Sequence, residues 1–218
     1  MKRVIAYVAA VSLLLASCQQ IFTTSVAGFM ARDKLELPAT ISSDQALAAA
    51  EQALGSGDTA AALAVLDRIN GLVSTLNDPA TVSELKTTAA SLAIAASGVD
   101  QALVSVLELM GSSEPPSIEA ITEIVASIAT PEAAIAALSY LADADVESSP
   151  DQKILAAVVL VVAATEGDLS QLENPDPENQ TLNTALALAG AGVNELIASG
   201  DTSMLGLVSP IISFLPQP

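Results

Sequence analysis

The sequence predicts an all-α protein, and three observations carry that prediction. The 218-residue chain is 51% apolar but only 2% aromatic, and Ala, Leu, Val and Ile make up most of the apolar share. Ala and Leu are leading helix formers. Apolar residues recur three and four positions apart, which places them on one face of a helix rather than alternating as in a strand. Gly-Asp and Asp-Pro pairs then stop one such run and start the next, as at Gly57-Asp58 and Asp78-Pro79. The expected architecture is an array of antiparallel helix hairpins with about nine to ten helices, built as an irregular solenoid or a helical bundle.

The elements follow in order. Ser42, Ser43 or Asp44 caps a helix through about Leu54, with Ala46, Leu47, Ala50, Ala53 and Leu54 as its stripe. Gly57 suits the left-handed position after that helix, and the Asp58 carboxylate caps the next. That second helix carries Ala62, Leu63, Val65, Leu66, Ile69 and Val73 and ends near Asn77-Asp78-Pro79. A junction this short turns the two helices into an antiparallel hairpin. Pro79 opens a further helix, where its missing N–H removes no helical bond. The pattern predicts helices over Val82 to Ala96, Asp100 to Met110 and Ser117 to Ile128, and a Pro131-initiated helix to about Leu141.

Asp151 to Thr165 is the most hydrophobic stretch after the N-terminus, with no charge from Ile154 to Ala164. It is too short to span a bilayer and reads as the central buried helix, with Asp151 as its cap. Thr181 to Ala198 is helical despite Gly190 and Gly192, and Asp201 to Ser209 forms a short final helix. Glu166-Gly167-Asp168 and Ser199-Gly200-Asp201-Thr202 repeat the stop-and-cap signal, the latter matching Ser56-Gly57-Asp58-Thr59 at all four positions.

The N-terminus has a different grammar. Met1-Lys2-Arg3 is positive, Val4 to Leu15 is apolar apart from Ser12, and Leu15-Ala16-Ser17-Cys18 ends the run at the single cysteine of the chain. Charged start, short apolar core and small residues before a cut are the parts of a secretory signal. The segment resembles the signal and lipobox of bacterial lipoproteins. That resemblance implies cleavage before Cys18 and lipidation of Cys18 with diacylglycerol and an amide-linked acyl chain such as palmitate. One acyl chain holds a membrane weakly, whereas two or three hold it durably. Gln19 in place of an Asp favours, by the family's sorting rule, an outer-membrane location facing the periplasm. The resulting division is a signal peptide over residues 1–17, a lipidated tether over 18–40 and a single helical domain over 41–218.

A second resemblance concerns the body. The hairpin at Gly57-Asp58, followed by the small Ala62 and then Leu63, looks like a tetratricopeptide-type repeat, in which a Gly closes the first helix and small residues let the second approach closely. It covers about Ser42 to Ser74, and Gly167 and Gly200 stand 33 residues apart, near that family's period. The first helix lacks the family's Trp and Tyr. The resemblance implies a face that binds a protein partner.

Charge and missing residue types bound the chemistry. Seven basic residues against 25 acidic ones give a formal charge of −18, and signal removal takes it to −20. Nucleic acid is therefore excluded as a partner, since its binding rests on clustered Lys and Arg. Histidine is absent, which removes imidazole acid–base chemistry and His metal sites. With one thiol there is no internal disulfide, and no phosphate-cradling or nucleophile-elbow motif is present.

Asp143, Asp145, Glu147 and Asp151 fall at positions 1, 3, 5 and 9 of a possible calcium loop, but Ser148 and Ile154 occupy its positions 6 and 12. Such a loop wants Gly and Glu there, so the stretch reads as a solvated inter-helix loop. Glu173, Asp176 and Glu178 form a second acidic loop, and Glu119 and Glu123 a one-turn pair on a helix. Arg68 and Lys86 are scarce cations suited to pairing with neighbouring acids. No catalytic, cofactor or metal residue emerges, and Cys18 as the lipidation site is the one residue with assignable chemistry. The expected function is a non-enzymatic, membrane-anchored protein-interaction adaptor. The alternative is a helical carrier of an apolar small molecule.

Overall fold

A computed structural model describes residues 37–38, 40–110, 118–168, 171 and 176–200. By internal contacts the chain divides between Glu36 and Leu37, and every described residue lies in the second unit. The signal, Cys18, most of the tether and the expected helix at Asp201 to Ser209 lie outside the described residues.

Among those described there are eight α-helices and no strands: α1 (Ser43–Ser56), α2 (Thr59–Val73), α3 (Pro79–Ser97), α4 (Val99–Met110), α5 (Ile118–Ala126), α6 (Glu132–Ser139), α7 (Pro150–Thr165) and α8 (Gln180–Ser199). A 3₁₀ turn, Tyr140–Ala142, extends α6. No single described helix is both long and apolar enough to cross a membrane.

The ends are built from local polar groups. The Ser42 hydroxyl accepts from the Gln45 N–H at 3.3 Å, and Gln45 Oε1 accepts from the Ser42 N–H at 3.0 Å, a reciprocal box that satisfies two exposed donors. Asp58 Oδ1 accepts from the N–H groups of Ala60 and Ala61 at 2.9 and 3.1 Å. Asp78 accepts from both the N–H and the hydroxyl of Thr81, and these bonds hold its carboxyl below the usual value. Pro79 occupies the first turn, so α3 begins three residues before the Val82 that periodicity marks. Gly57, at φ 65°, and Gly200, at φ 73°, take the left-handed conformation that closes α1 and α8.

Two punctuation marks differ from expectation. Ser149, not Asp151, caps α7, because its hydroxyl reaches the Gln152 N–H and the Gln152 side chain returns to the Ser149 N–H. Asp151 falls in the first turn instead. Glu166 itself takes the left-handed cap of α7, at φ 50°, ahead of Gly167 at φ 81°.

The buried face of α1 is Ala46, Ala49, Ala50 and Ala53, whereas Leu54 is 40% exposed. Methyl side chains let α1 approach α2 and α3 closely and leave the leucines at the margin. In α2, Val65, Leu66 and Ile69 are fully buried. The centre of the molecule is α3. It packs against α1, α2, α4, α6 and α7, and its buried residues, Leu85, Ala89, Ala90, Leu92, Ala93, Ile94 and Ala96, encircle the helix toward its C-terminal end. α7 is buried as expected, through Ile154, Val159, Leu160 and their neighbours, and α3 shares the centre with it, because a helix of many small residues can be surrounded on several sides. In a solenoid each repeat touches only its neighbours in sequence. Here α3 also contacts α6 and α7, so of the two architectures the bundle is the one observed.

The α7–α8 pair makes the closest crossing, and it explains a glycine that weakens the helical pattern. A Cβ on Gly192 would stand 2.8 Å from Ile154 Cγ1 and 2.9 Å from the Pro150 carbonyl oxygen. Only glycine lets the two backbones come that near. The Lys153 ammonium donates to Glu195 across the same junction.

Candidate functional site

The best-defined polar constellation joins α2, α3, α6 and the loop after it. Lys86, midway along α3, points its ammonium at Asp143 Oδ2, 2.8 Å away, with Asp145 Oδ2 at 3.7 Å. The same nitrogen lies 5.9 Å from the centroid of the Tyr140 ring, within cation–π range. The Tyr140 hydroxyl donates to Asn70 Oδ1 at 3.2 Å, and Asn70 Nδ2 donates to the Ala133 carbonyl at 3.0 Å. One turn before Lys86, Ser83 Oγ donates to the Asp145 carbonyl, and the adjacent Thr87 Oγ1 donates to the Glu147 carbonyl. Val146, buried between those carbonyls, seats the loop on the body.

The electrostatics follow from these contacts. The bond to Asp143 raises the Lys86 ammonium above the usual lysine value, helped by the charges of Asp143 and Asp145 and opposed by partial burial. Burial pushes the Tyr140 phenol up, with the Lys86 charge acting the other way. A lysine used as general base or nucleophile needs the opposite displacement, toward neutrality. Lys86 is held as a cation, and the constellation works as a latch that fastens an acidic loop to α3.

The candidate calcium ligands are accordingly dispersed. Asp143 and Asp145 share Lys86, Glu147 is exposed, and Asp151 belongs to the first turn of α7. Among the described residues no three acidic or thiol groups are arranged to hold a metal ion. In the second acidic loop, Asp176 Oδ1 accepts from the Glu178 N–H at 2.9 Å, a local turn, and Asn179 caps α8 through the Leu182 N–H. Glu173 lies outside the described residues. Glu119 and Glu123 both fall on α5, and Arg68 is exposed on α2. Cys18, the lipidation candidate, also lies outside the described residues.

Sequence reasoning did not single out Tyr140, Asn70 or the Lys153–Glu195 pair. One signal was available for two of them. Tyr140 is the sole aromatic residue between Phe29 and Phe214, and Lys153 is the sole cation after Lys86. Residues that rare have few bland roles.

The chain matches no family model, no curated protein and no solved structure.

Proposed function

We propose that this chain is a bacterial envelope lipoprotein, anchored through acyl chains on Cys18 and acting as a non-enzymatic protein-interaction adaptor, at the outer membrane facing the periplasm. The observation that carries the reading is the ordered N-terminus: Met1-Lys2-Arg3, an apolar core and Leu15-Ala16-Ser17-Cys18. The body supports it from the side of chemistry. Histidine is absent, and of the three described cations Lys86 and Lys153 are committed to carboxylates while Arg68 is exposed on α2. Within this reading, α1 and α2, which meet across Gly57-Asp58, form a tetratricopeptide-like hairpin within the bundle that offers a binding face.

Two measurements test it. Growth with an acyl-chain analogue should label the wild-type protein and leave Cys18→Ser unlabelled and released from membranes; unlabelled wild-type protein sinks the anchor. Crosslinking in native membranes, followed by capture, should recover the same protein partner repeatedly. A retained apolar small molecule in native mass spectrometry, with no such partner, would favour the carrier instead.

A further inference from the structure

Of the six asparagines in the chain, only Asn70 is followed by glycine. Asn-Gly is the pair in which a chain most readily attacks itself, because no side chain on the glycine shields its nitrogen from the asparagine carboxamide. Elsewhere glycine has an evident structural reason. Gly98, at φ 71°, turns α3 out into the α4–α5 hairpin, whose return is fixed where the Ala129 N–H donates to the Ser97 carbonyl at 2.9 Å, and Gly192 lets α7 and α8 cross. Gly71 has neither reason: its φ is not left-handed, and an added Cβ would meet nothing within 4 Å. It weakens the helix that holds it, and it does so in the last turn of α2, where a helix opens first.

The folded chain keeps the two reacting groups apart in two ways. Along the backbone, the Gly71 nitrogen belongs to the helical ladder of α2, and the turn beyond it is tied down. The Ser74 N–H donates to the Asn70 carbonyl at 3.3 Å, and Ser74 Oγ donates to the Gly71 carbonyl at 2.8 Å. At the side chain, both ends of the carboxamide are taken by α6 and the turn that extends it. Asn70 Nδ2 donates to the Ala133 carbonyl at 3.0 Å, and Oδ1 accepts from the Tyr140 hydroxyl at 3.2 Å. The amide carbon of Asn70 is thereby held toward α6 and away from the next peptide nitrogen. Ring closure requires both holds to be released together.

We infer that Asn70-Gly71 is a latent deamidation site, kept shut by the α2–α6 contact and reactive whenever the last turn of α2 opens. The Gly71 nitrogen bonds to Asn70 Cγ, the Cγ–Nδ2 bond breaks, and the proton lost from the Gly71 nitrogen leaves with Nδ2 as ammonia. Water then opens the succinimide at either carbonyl, leaving aspartate or isoaspartate. Nothing is oxidised or reduced, and water is the sole co-reactant. The product cannot restore the contact. A carboxylate at position 70 has no donor for the Ala133 carbonyl and sets negative charge against that oxygen in a part-buried place. Isoaspartate also lengthens the backbone inside a helix. Local opening is reversible, but this chemistry is not, so one opening that reacts parts α2 from α6 for good. The site goes beyond the adaptor reading and does not depend on it.

The test ages the purified full chain, in mild non-ionic detergent and mildly alkaline buffer, with and without urea. Tandem mass spectrometry of the tryptic peptide from Ile69 to Lys86 reads the acid-for-amide exchange at Asn70. In urea, Asn70 should convert ahead of the other asparagines. The folded chain should convert at least about tenfold more slowly, since only its open fraction reacts. Gly71→Ala should slow the unfolded rate about tenfold or more, because a Cβ shields the nitrogen. Tyr140→Phe, which frees Asn70 Oδ1, should raise the folded rate about threefold or more and leave the unfolded rate unchanged. Asn70→Asp, the product itself, should unfold at lower urea than the wild type. Circular dichroism confirms that each variant is folded before ageing, and the wild-type pair of rates decides the matter should Tyr140→Phe not fold. Equal rates with and without urea, or a folded Tyr140→Phe that reacts no faster, overturn the guard by α6. Another asparagine converting first, or Gly71→Ala keeping pace with the wild type in urea, overturns the site. A wild-type urea midpoint for Asn70→Asp overturns the lasting loss of contact.

Discussion

Helices α3 and α4 are one stretch of sequence broken by a single glycine, with a 50° bend at the break, and they have opposite fates. On α3, Leu85 and Leu92 are fully buried, with neighbours on several sides. On α4, where six of the 12 residues are Val or Leu against three of 19 on α3, Val104 is more than half exposed. Composition alone would place α4, not α3, at the centre. The number of helices that close around each one separates them instead, and α3 recruits α1, α2, α6 and α7 as well as α4, where α4 has α5 and flanks of α3 and α7. Apolar content therefore sets how much a helix can bury, and topology decides how much it does bury.

The largest effect expected from that contrast is on α3. Leu92→Ala should cost about 2–5 kcal/mol, because a cavity at a crowded centre cannot collapse, and urea denaturation would show it. A loss no greater than that of an exposed substitution would deny α3 its central place. At the joint, Gly98→Ala should cost about 1 kcal/mol. A Cβ there meets nothing within 4 Å, so the penalty is the left-handed backbone alone, and thermal melting of the variant measures it.

The latch on α3 should yield a smaller, pH-dependent effect, since Asp143 and Asp145 are about half exposed and such pairs contribute modestly. Because the folded state raises Lys86, its contribution is complete below the ordinary lysine value of 10.5 and is lost as pH climbs through the raised one. Stability measured against pH should fall in that alkaline window, and Lys86→Met should flatten the fall. The smallest effect belongs to α4: Val104→Ser should change stability by less than about 0.5 kcal/mol. A cost near that of Leu92→Ala would mean that α4 is as enclosed as α3.

Legibility in the sequence followed the reach of each interaction. Caps and stops act over two to four residues, so Asp58, Gly57 and Pro79 could be read directly, and the all-α class with them, while Ser42 was one of three candidates for the first cap. Ser149 could have been read as well, since Gln152 completes its capping box, but the neighbouring Asp151 competes as a cap by residue type alone. The latch was illegible because Lys86 and Asp143 lie 57 residues apart, and no periodicity links one helix to a loop two hairpins later. Gly192 illustrates the same limit. A glycine inside a helix reads as a weakness until Ile154 and Pro150 are found where its side chain would be. At the candidate site, Asp143, Asp145, Glu147 and Asp151 have calcium-loop spacing, but Ser148 and Ile154 make the stretch read as a solvated loop. Spacing cannot show that a lysine from another helix claims two of them first.

The hydrogen bond from the Ala129 N–H to the Ser97 carbonyl has a consequence for how this protein can change over time. The two ends of the α4–α5 excursion enter and leave the bundle through a single doorway, and beyond it the body meets α4 through α3 and α7. Loop-closure entropy grows only slowly with length, at about 0.6 kcal/mol per doubling. The hairpin can therefore lengthen or shorten while α3 and α6 keep their places.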